Sequence, residues 1–346
     1  MPGRPVSETT SVGVIGYGYW GPNLVRNFME TPATQVVGVS DLREERLAPL
    51  RRRYPTVETL TDHRDLLSNP RVDAIVIATP VSSHYQLALD ALRAGKHVLV
   101  EKPLSASADE ASRLVEEAAR RDRTLMVDHT FVYTGAVRKI HALTTAGALG
   151  EIYYYDSVRV NLGLFQHDVD VMWDLAVHDL SIIDYVLPER PVAVAATGMS
   201  HFPGQPANMA YLTLFFSGSL IAHVHVNWLS PVKVRRTLIG GSQNMVVYDD
   251  LEPSEKLKIY DRGISMNESP ESVYTMLVSY RTGDMSAPQL DITEALRTEA
   301  IHFAACIQKG ERPISDGRAG LRVVRILEAA TRSLAEHGRQ IELQQD

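Results

Sequence analysis

Residues Ser11–Asn23 read S-V-G-V-I-G-Y-G-Y-W-G-P-N. Val12–Ile15 is an apolar run suited to a buried strand. Gly16, Gly18 and Gly21 fit G-x-G-x-x-G, and Pro22 suits the first turn of a helix, where no backbone donor is missed. The glycine pattern therefore lies between a strand and a helix, the context that gives it meaning. In that context the first glycine makes the tight turn, the second admits a pyrophosphate, and the third lets the helix pack close to the strand. Gly16, Tyr17, Gly18, Tyr19, Trp20 and Gly21 form the candidate cofactor-binding turn. The other half of the fingerprint follows. Val36–Ser40 reads as a second strand ending at Asp41, 20 residues past Gly21. A carboxylate there can accept the ribose hydroxyls of an adenosine and repels a 2′-phosphate, which favours NAD over NADP. Arg43 and Arg46 keep NADP open. As an alternative, Asp41 caps a helix from Leu42 onward.

Working outward, 346 residues with 45% hydrophobic content are enough for about two domains with sizeable cores. Net charge is −7. The one compact basic run, Arg51–Arg53, suits a solvated helix end, which argues against a nucleic-acid partner. The single cysteine, Cys306, sits in an apolar helical context and is read as core. The polar N-terminus lacks an apolar signal core. No apolar run approaches the ~18 residues of a membrane span. A cytoplasmic protein without membrane association is expected.

Along the chain, residues 1–10 read as a disordered leader. Strands at Ala74–Ala78, His97–Val100 and Leu125–Val127 alternate with helices at Asp62–Ser68, Ser83–Ala94 and Ser105–Arg121. Residues 43–54 look helical, with Pro49 expected to kink or split them. Such βα alternation predicts an α/β fold with a doubly wound parallel sheet. The pattern then changes. A helix at Thr134–Ala146 and a Tyr-rich strand at Glu151–Val160 precede a helix at Asp170–Leu187. Alternating runs at Val192–Met199, Met209–Phe216, Leu220–Trp228, Lys233–Ile239 and Met245–Tyr248 predict an open, mainly antiparallel sheet. Helices at Asp291–Gln308 and Arg318–Glu336 close the chain. The expected division is 1–10 leader, 11–128 Rossmann domain and 129–346 substrate-binding and oligomerisation domain. One face of the open sheet needs cover, so a homo-oligomer is expected.

Two constellations carry chemistry. Lys102 follows a buried strand and precedes a proline, in Glu101-Lys102-Pro103, at the strand end where open α/β sheets bind ligands. Its ammonium can donate to a substrate hydroxyl; a surface pair with Glu101 is the structural alternative. Asp174 and His178, in W-D-L-A-V-H-D (Trp173–Asp179), are four apart and share a helix face. An imidazole is a natural base for a secondary alcohol, and a carboxylate one turn away can orient it. An ordinary surface pair fits the same spacing. His223 and His225 alternate on one strand, without a third metal ligand at a convincing spacing, and are read as a sheet face or oligomer contact. His167, Asp168 and Asp170 form a polar cluster read as a substrate-contacting or solvated loop. No metal is expected.

G-Y-G-Y-W-G, Asp41, A-T-P-V-S-S-H (Ala78–His84), A-G-K-H-V-L-V-E-K-P (Ala94–Pro103) and D-L-A-V-H-D (Asp174–Asp179) together resemble the glucose–fructose oxidoreductase / inositol dehydrogenase (Gfo/Idh/MocA) family. The resemblance runs essentially end to end. It implies a Rossmann domain, a C-terminal open-sheet domain that makes dimers or tetramers, and hydride transfer between nicotinamide and a secondary carbinol of a sugar or cyclitol. It places Thr79, Pro80 and His84 beside the cofactor, Glu101 at the nicotinamide ribose, and Lys102 between nicotinamide and substrate. His129 fills a position that meets cofactor or substrate. His178 becomes the acid/base, with Asp174 as its partner, and a cis Lys102–Pro103 bond is implied. Two departures, the bulky lead Asp170-Val171-Met172-Trp173 and Ala176 in place of a glycine, put pocket shape in doubt and make Trp173 a candidate wall.

The segment from Arg159 to Asp179 looks closest to branches acting on nucleotide-linked hexoses or aminoglycoside sugars, commonly at C3. The expected activity is NAD-dependent oxidation of a pyranose hydroxyl to a 3-keto sugar for later transamination. Arg159 and Asn161, alternating on one strand face, are candidate substrate donors, with sheet-face pairing as their alternative. Keto-sugar reduction or cyclitol oxidation would use the same residues, and a non-catalytic NAD-binding sensor is the rival from another class.

Overall fold

The computed structural model describes residues 9–163, 169–261, 263–266, 278–281 and 283–344. It divides into two compact units: residues up to Thr134 together with Ile292–Arg325, and Gly135–Asp291 together with Ile326–Asp346. The first unit thus takes back a late segment, a return that nothing in the sequence signals. The leader expected at 1–10 lies, up to residue 8, outside the described residues; Thr10 already belongs to a strand.

In the first unit, β1 (Thr10–Ile15), β2 (Thr34–Ser40), β3 (Glu58–Leu60), β4 (Ala74–Ile77), β5 (His97–Glu101) and β6 (Leu125–Asp128) form one parallel sheet in the order β3-β2-β1-β4-β5-β6. Between them run α1 (Gly21–Glu30), α2 (Glu44–Arg53), α3 (His63–Ser68), α4 (Val81–Arg93) and α5 (Ala108–Arg121). The central strands are continuous apolar runs because helices cover both faces; Val12, Val14, Ile75, Val76, Ile77, Val98 and Val100 are fully buried. Strand order reverses between β1 and β4, the switch point beside which such sheets bind ligands at their carboxyl ends. Of the kink or split expected at Pro49, the split does not occur: α2 runs unbroken through it. Pro49 sits in its sixth position, where only one intrahelical donor is lost, and Leu47 and Leu50 on either side are fully buried and hold the turn.

A 3₁₀ turn at Thr130–Tyr133 ends this run. In the second unit, α6 (Gly135–Thr145), α7 (Val177–Val186) and a π-helical turn at Met172–Ala176 accompany β7 (Ile152–Leu162), β8 (Ala193–Met199), β9 (Met209–Phe215), β10 (Ile221–Asn227), β11 (Leu229–Gly241), β12 (Met245–Asp249), β13 (Leu257–Tyr260), β14 (Gly263–Met266), β15 (Val278–Arg281) and β16 (Met285–Ser286). α8 (Ala295–Lys309) belongs to the first unit, the division falls within α9 (Gly317–Ala335), and β17 (Ile341–Glu342) closes the chain. Nine described strands make one sheet, β16-β13-β12-β11-β7-β10-β9-β8-β17. Its pairs are antiparallel except β7 with β10. β14 and β15 pair apart from it. Tyr155, Ser157 and Arg159 on one face of β7 are buried, whereas Tyr154, Asp156 and Val158 on the other are only half-buried. His223 and His225 lie with the second set: His223 is exposed with Nδ1 3.3 Å from Asp156 Oδ1, and His225 stacks on Tyr211 at 4.3 Å.

Candidate active site

The fingerprint turn follows β1 directly. Gly16 has φ +98°, and a Cβ there would lie 2.4 Å from the Ala78 carbonyl oxygen; at Gly21 it would meet the Gly16 carbonyl at 2.3 Å. Both glycines are therefore dictated by backbone approach, the cradle a diphosphate requires. Tyr17 is buried, whereas Tyr19 is 87% exposed. Asp41, at the end of β2, is buried and accepts the Tyr17 N–H on Oδ2 at 2.8 Å and the Arg43 N–H on Oδ1 at 2.9 Å. Each carboxylate oxygen keeps a second lone pair for a ribose hydroxyl. Arg46 stands 3.6 Å from Asp41. The turn and its acid thus fit a dinucleotide. α2 is capped at Arg43 without a side-chain bond, so Asp41 shapes the turn rather than capping that helix.

The strand ends beyond the switch point are tied together. His84 is buried, its Nδ1 2.8 Å from Pro103 O and its Nε2 2.8 Å from Thr79 O. Burial pushes this imidazole below its ordinary pKa, against the two carbonyls, which favour the charged ring. With both nitrogens on main-chain oxygens, His84 serves the site by joining the loops after β4 and β5. Thr79 Oγ1 accepts from Ser83 Oγ at 2.7 Å, and Pro80 is exposed at the start of α4. The Lys102–Pro103 bond is cis. Lys102 is half-buried, and its N–H donates to Glu101 Oε2 at 3.0 Å. The Glu101 carboxyl, expected at the nicotinamide ribose, is turned inward with Oε1 buried. His129 is 2% exposed.

In the second unit, Asp170 accepts the N–H groups of Met172 and Trp173 at 2.8 and 3.1 Å, which caps the turn that follows. Burial raises the Asp170 pKa, with those two donors opposing the shift. His167 and Asp168, expected beside it, lie outside the described residues. The expected α-helix from Asp170 opens as a π turn, in which the Val177 N–H reaches Met172 O. Such bulges recur at functional sites. Asp174 Oδ2 accepts from the Trp228 indole at 3.1 Å, and Trp173 Nε1 donates to Thr331 Oγ1 at 3.0 Å. His178 is half-buried one turn further on.

Arg159 is 4% exposed, and its Nε and Nη2 lie 2.7 and 3.3 Å from the two oxygens of Asp179, itself 2% exposed. This is the sheet-face pairing that stood as its alternative, made because α7 brings a carboxylate to the covered face of β7. Asn161, two residues on, is half-buried. Sequence reasoning missed Trp228 and Asp179. The only signal for Trp228 was an indole closing a strand, and Asp179 stood in a motif already spent on His178. Among the described residues no group of three or more His, Cys, Asp or Glu could hold a metal, and no helix is long and apolar enough to cross a membrane.

The first unit is thus a dinucleotide-binding Rossmann fold whose ligating features sit at the switch point. Residues 10–129 match an oxidoreductase family described by its NAD-binding Rossmann fold, and residues 143–343 match that family's C-terminal alpha/beta domain. The chain belongs to this Gfo/Idh/MocA family. UDP-N-acetylglucosamine 3-dehydrogenase of Acidithiobacillus ferrooxidans is 28% identical over 90% of this chain and 93% of its own; its solved structure superposes with a TM-score of 0.79 over 95% and 98% of the two chains. The NADP-dependent scyllo-inositol 2-dehydrogenase IolW of Bacillus subtilis is 25% identical over 97% of both. The structure of GenD2 from gentamicin A biosynthesis, bound to NAD, shares the fold at 22% identity and a TM-score of 0.81, covering 100% of this chain and 99% of its own. The protein is an NAD-binding sugar or cyclitol oxidoreductase, a dehydrogenase acting on CH–OH.

Proposed function

We propose that the protein oxidises the C3 hydroxyl of a pyranose, in a nucleotide-linked or aminoglycoside-type sugar, to a 3-keto sugar that a later transamination consumes. The observation that carries this reading is the 28% identity, over nearly the whole chain, to a UDP-N-acetylglucosamine 3-dehydrogenase. Bound NAD supplies the hydride acceptor; Gly16, Gly18 and Gly21 receive its diphosphate and Asp41 its adenosine ribose. Lys102 donates to the hydroxyl oxygen and stabilises the negative charge that develops as the carbinol is oxidised. His178 takes the hydroxyl proton at Nε2, its Nδ1 being buried. Asp174 stabilises the imidazolium, and Trp228 fixes the carboxylate that does so. Trp173 and Asn161 border the sugar. The half-buried face of the large sheet, with His223, His225 and Tyr211, is where copies of a dimer or tetramer meet, in the cytoplasm.

Lys102→Ala and His178→Ala should each remove more than 99% of turnover, a loss of about 2.7 kcal/mol of transition-state stabilisation, while NAD still binds. NADH absorbance against a panel of nucleotide sugars, aminoglycosides and inositols reads both the substrate and the loss. Near-normal rates in either variant, or reaction with inositols alone, would overturn this assignment.

A further inference from the structure

Three carboxyl side chains meet inside the first unit. Glu101 and Asp128 are register partners at the carboxyl ends of the adjacent parallel strands β5 and β6. Glu299, 1% exposed on α8, reaches the same place. Asp128, also 1% exposed, lies within hydrogen-bonding reach of both glutamates. Glu101 Oε1 and both oxygens of Glu299 are buried and accept from no donor, whereas Asp128 accepts from Thr130 Oγ1 at 2.6 Å and from Trp20 Nε1 at 3.4 Å. Ionised carboxylates only accept, so three buried anions would repel and leave acceptors facing acceptors. Burying even one charge without a partner is costly.

We propose that Glu101 and Glu299 each carry a proton at neutral pH and donate it to an ionised Asp128, and that Glu299 is a positioning residue that holds Asp128, and through it Glu101, turned inward beside Lys102. The cluster then holds one negative charge. Asp128 accepts up to four bonds, from Trp20 of the fingerprint turn, Thr130 and the two acids, within the capacity of a carboxylate. Protons are the cations that fit, since no metal geometry exists among the described residues. Burial first, then the charge of Asp128, holds both glutamates well above the ordinary carboxyl range; Lys102 opposes this at Glu101, and Glu101 adds to it at Glu299. The other titratable groups nearby are Tyr133, whose field includes Glu299, and buried His129. The inference deepens the proposed role of Lys102: a neutral Glu101 does not compete as a counter-ion with the oxygen of a substrate.

The test reads protons directly and does not depend on turnover. Infrared spectra of the full-length protein at pH 7.5 should show the carbonyl stretch of buried, protonated carboxyls, and Glu299→Gln should remove about half of that band. Gln mimics a protonated Glu as donor and acceptor, so this variant should fold and bind NADH within threefold of wild type, whereas Glu299→Ala should bind more than tenfold more weakly. Above the ordinary carboxyl pKa the unfolded chain has released these protons and the native state has not, so stability falls as pH rises until the native groups titrate. Each retained proton changes the folding constant tenfold per pH unit, and Glu299→Gln should lessen the wild-type dependence by that factor between about pH 6 and 8. Absence of a protonated-carboxyl band at pH 7.5, or an identical band and pH dependence in Glu299→Gln, would overturn the proposal. The result for Lys102→Ala turnover bears on neither outcome.

Discussion

Removing the carboxylate from Asp179 should cost far more stability than removing any exposed charge of this protein. Asp179 and Arg159 are 2% and 4% exposed, and their contact is two-pronged, at 2.7 and 3.3 Å. With charge centres about 4 Å apart and an effective dielectric near 20, their attraction is about 4 kcal/mol. Desolvation offsets much of it in the intact pair, so replacing both partners together is mild. Asp179→Ala is different, since it leaves a guanidinium that stays charged below pH ~12 buried without its counter-ion, at a cost of about 3–5 kcal/mol. That is about a fifth or more of the stability of an ordinary domain. Urea unfolding of Asp179→Ala and of Arg159→Met with Asp179→Leu compares the two cases; the double variant should recover most of the loss. KM for the sugar should change little in a folded Arg159→Met, Asp179→Leu protein. A stable Asp179→Ala, or a double variant with intact stability and a KM raised tenfold or more, would return Arg159 to the substrate site and refute the argument.

Trp228→Phe keeps the ring in the core but deletes the donor to Asp174; kcat should fall about tenfold with NADH affinity unchanged, as steady-state rates and NADH fluorescence will show. Gly21→Ala places a methyl 2.3 Å from the Gly16 carbonyl, so NADH affinity should drop at least a hundredfold in a fluorescence titration. Burial, reinforced by Glu311, pushes the Cys306 thiol up to about 11. Near pH 8 about one thiol in a thousand is then thiolate, against roughly one in four for an ordinary cysteine; a chromogenic disulfide should label the native protein only as it unfolds.

The parallel sheet was legible because its signals are local and redundant. A continuous apolar strand, a glycine turn and an acid at the next strand end each constrain the same backbone, and Val12–Asp41 holds all three. Cys306 read correctly as core for a similar reason, its helix being apolar around it. What escaped depends on contacts distant in the chain. Arg159 and Asp179 are 20 residues apart, Asp174 and Trp228 are 54, and Glu101 and Glu299 nearly two hundred. No period or spacing announces such a meeting. The π turn was hidden differently: Asp174 and His178 stand at a separation that suits an α-helix, and a one-residue change in hydrogen bonding leaves the sequence pattern intact.

The polar residues buried at the carboxyl ends of the parallel strands explain each other. A sheet can grip a ligand there only with loops, and loops are by default the mobile part of a domain. In this chain most of these loops are fastened to a neighbour through a buried side chain. Asp41 holds the fingerprint turn to the end of β2 through the Tyr17 and Arg43 amides. His84 spans the loops after β4 and β5. Trp20 and Thr130 bring the fingerprint and the 3₁₀ turn to Asp128 at the end of β6. Burying such groups costs stability unless every bond is made, so the arrangement is worth keeping only where order is needed beforehand. A cofactor that meets loops already fixed loses less affinity to their ordering, and groups at a reacting carbon must be held to within about half an ångström. Loosening a fastener that does not itself meet the cofactor should therefore weaken NAD binding through entropy while leaving the contacts themselves unchanged. For His84→Ala, calorimetry should find the binding enthalpy nearly preserved and affinity reduced about tenfold; a loss carried wholly by enthalpy would mean that His84 touches the cofactor itself.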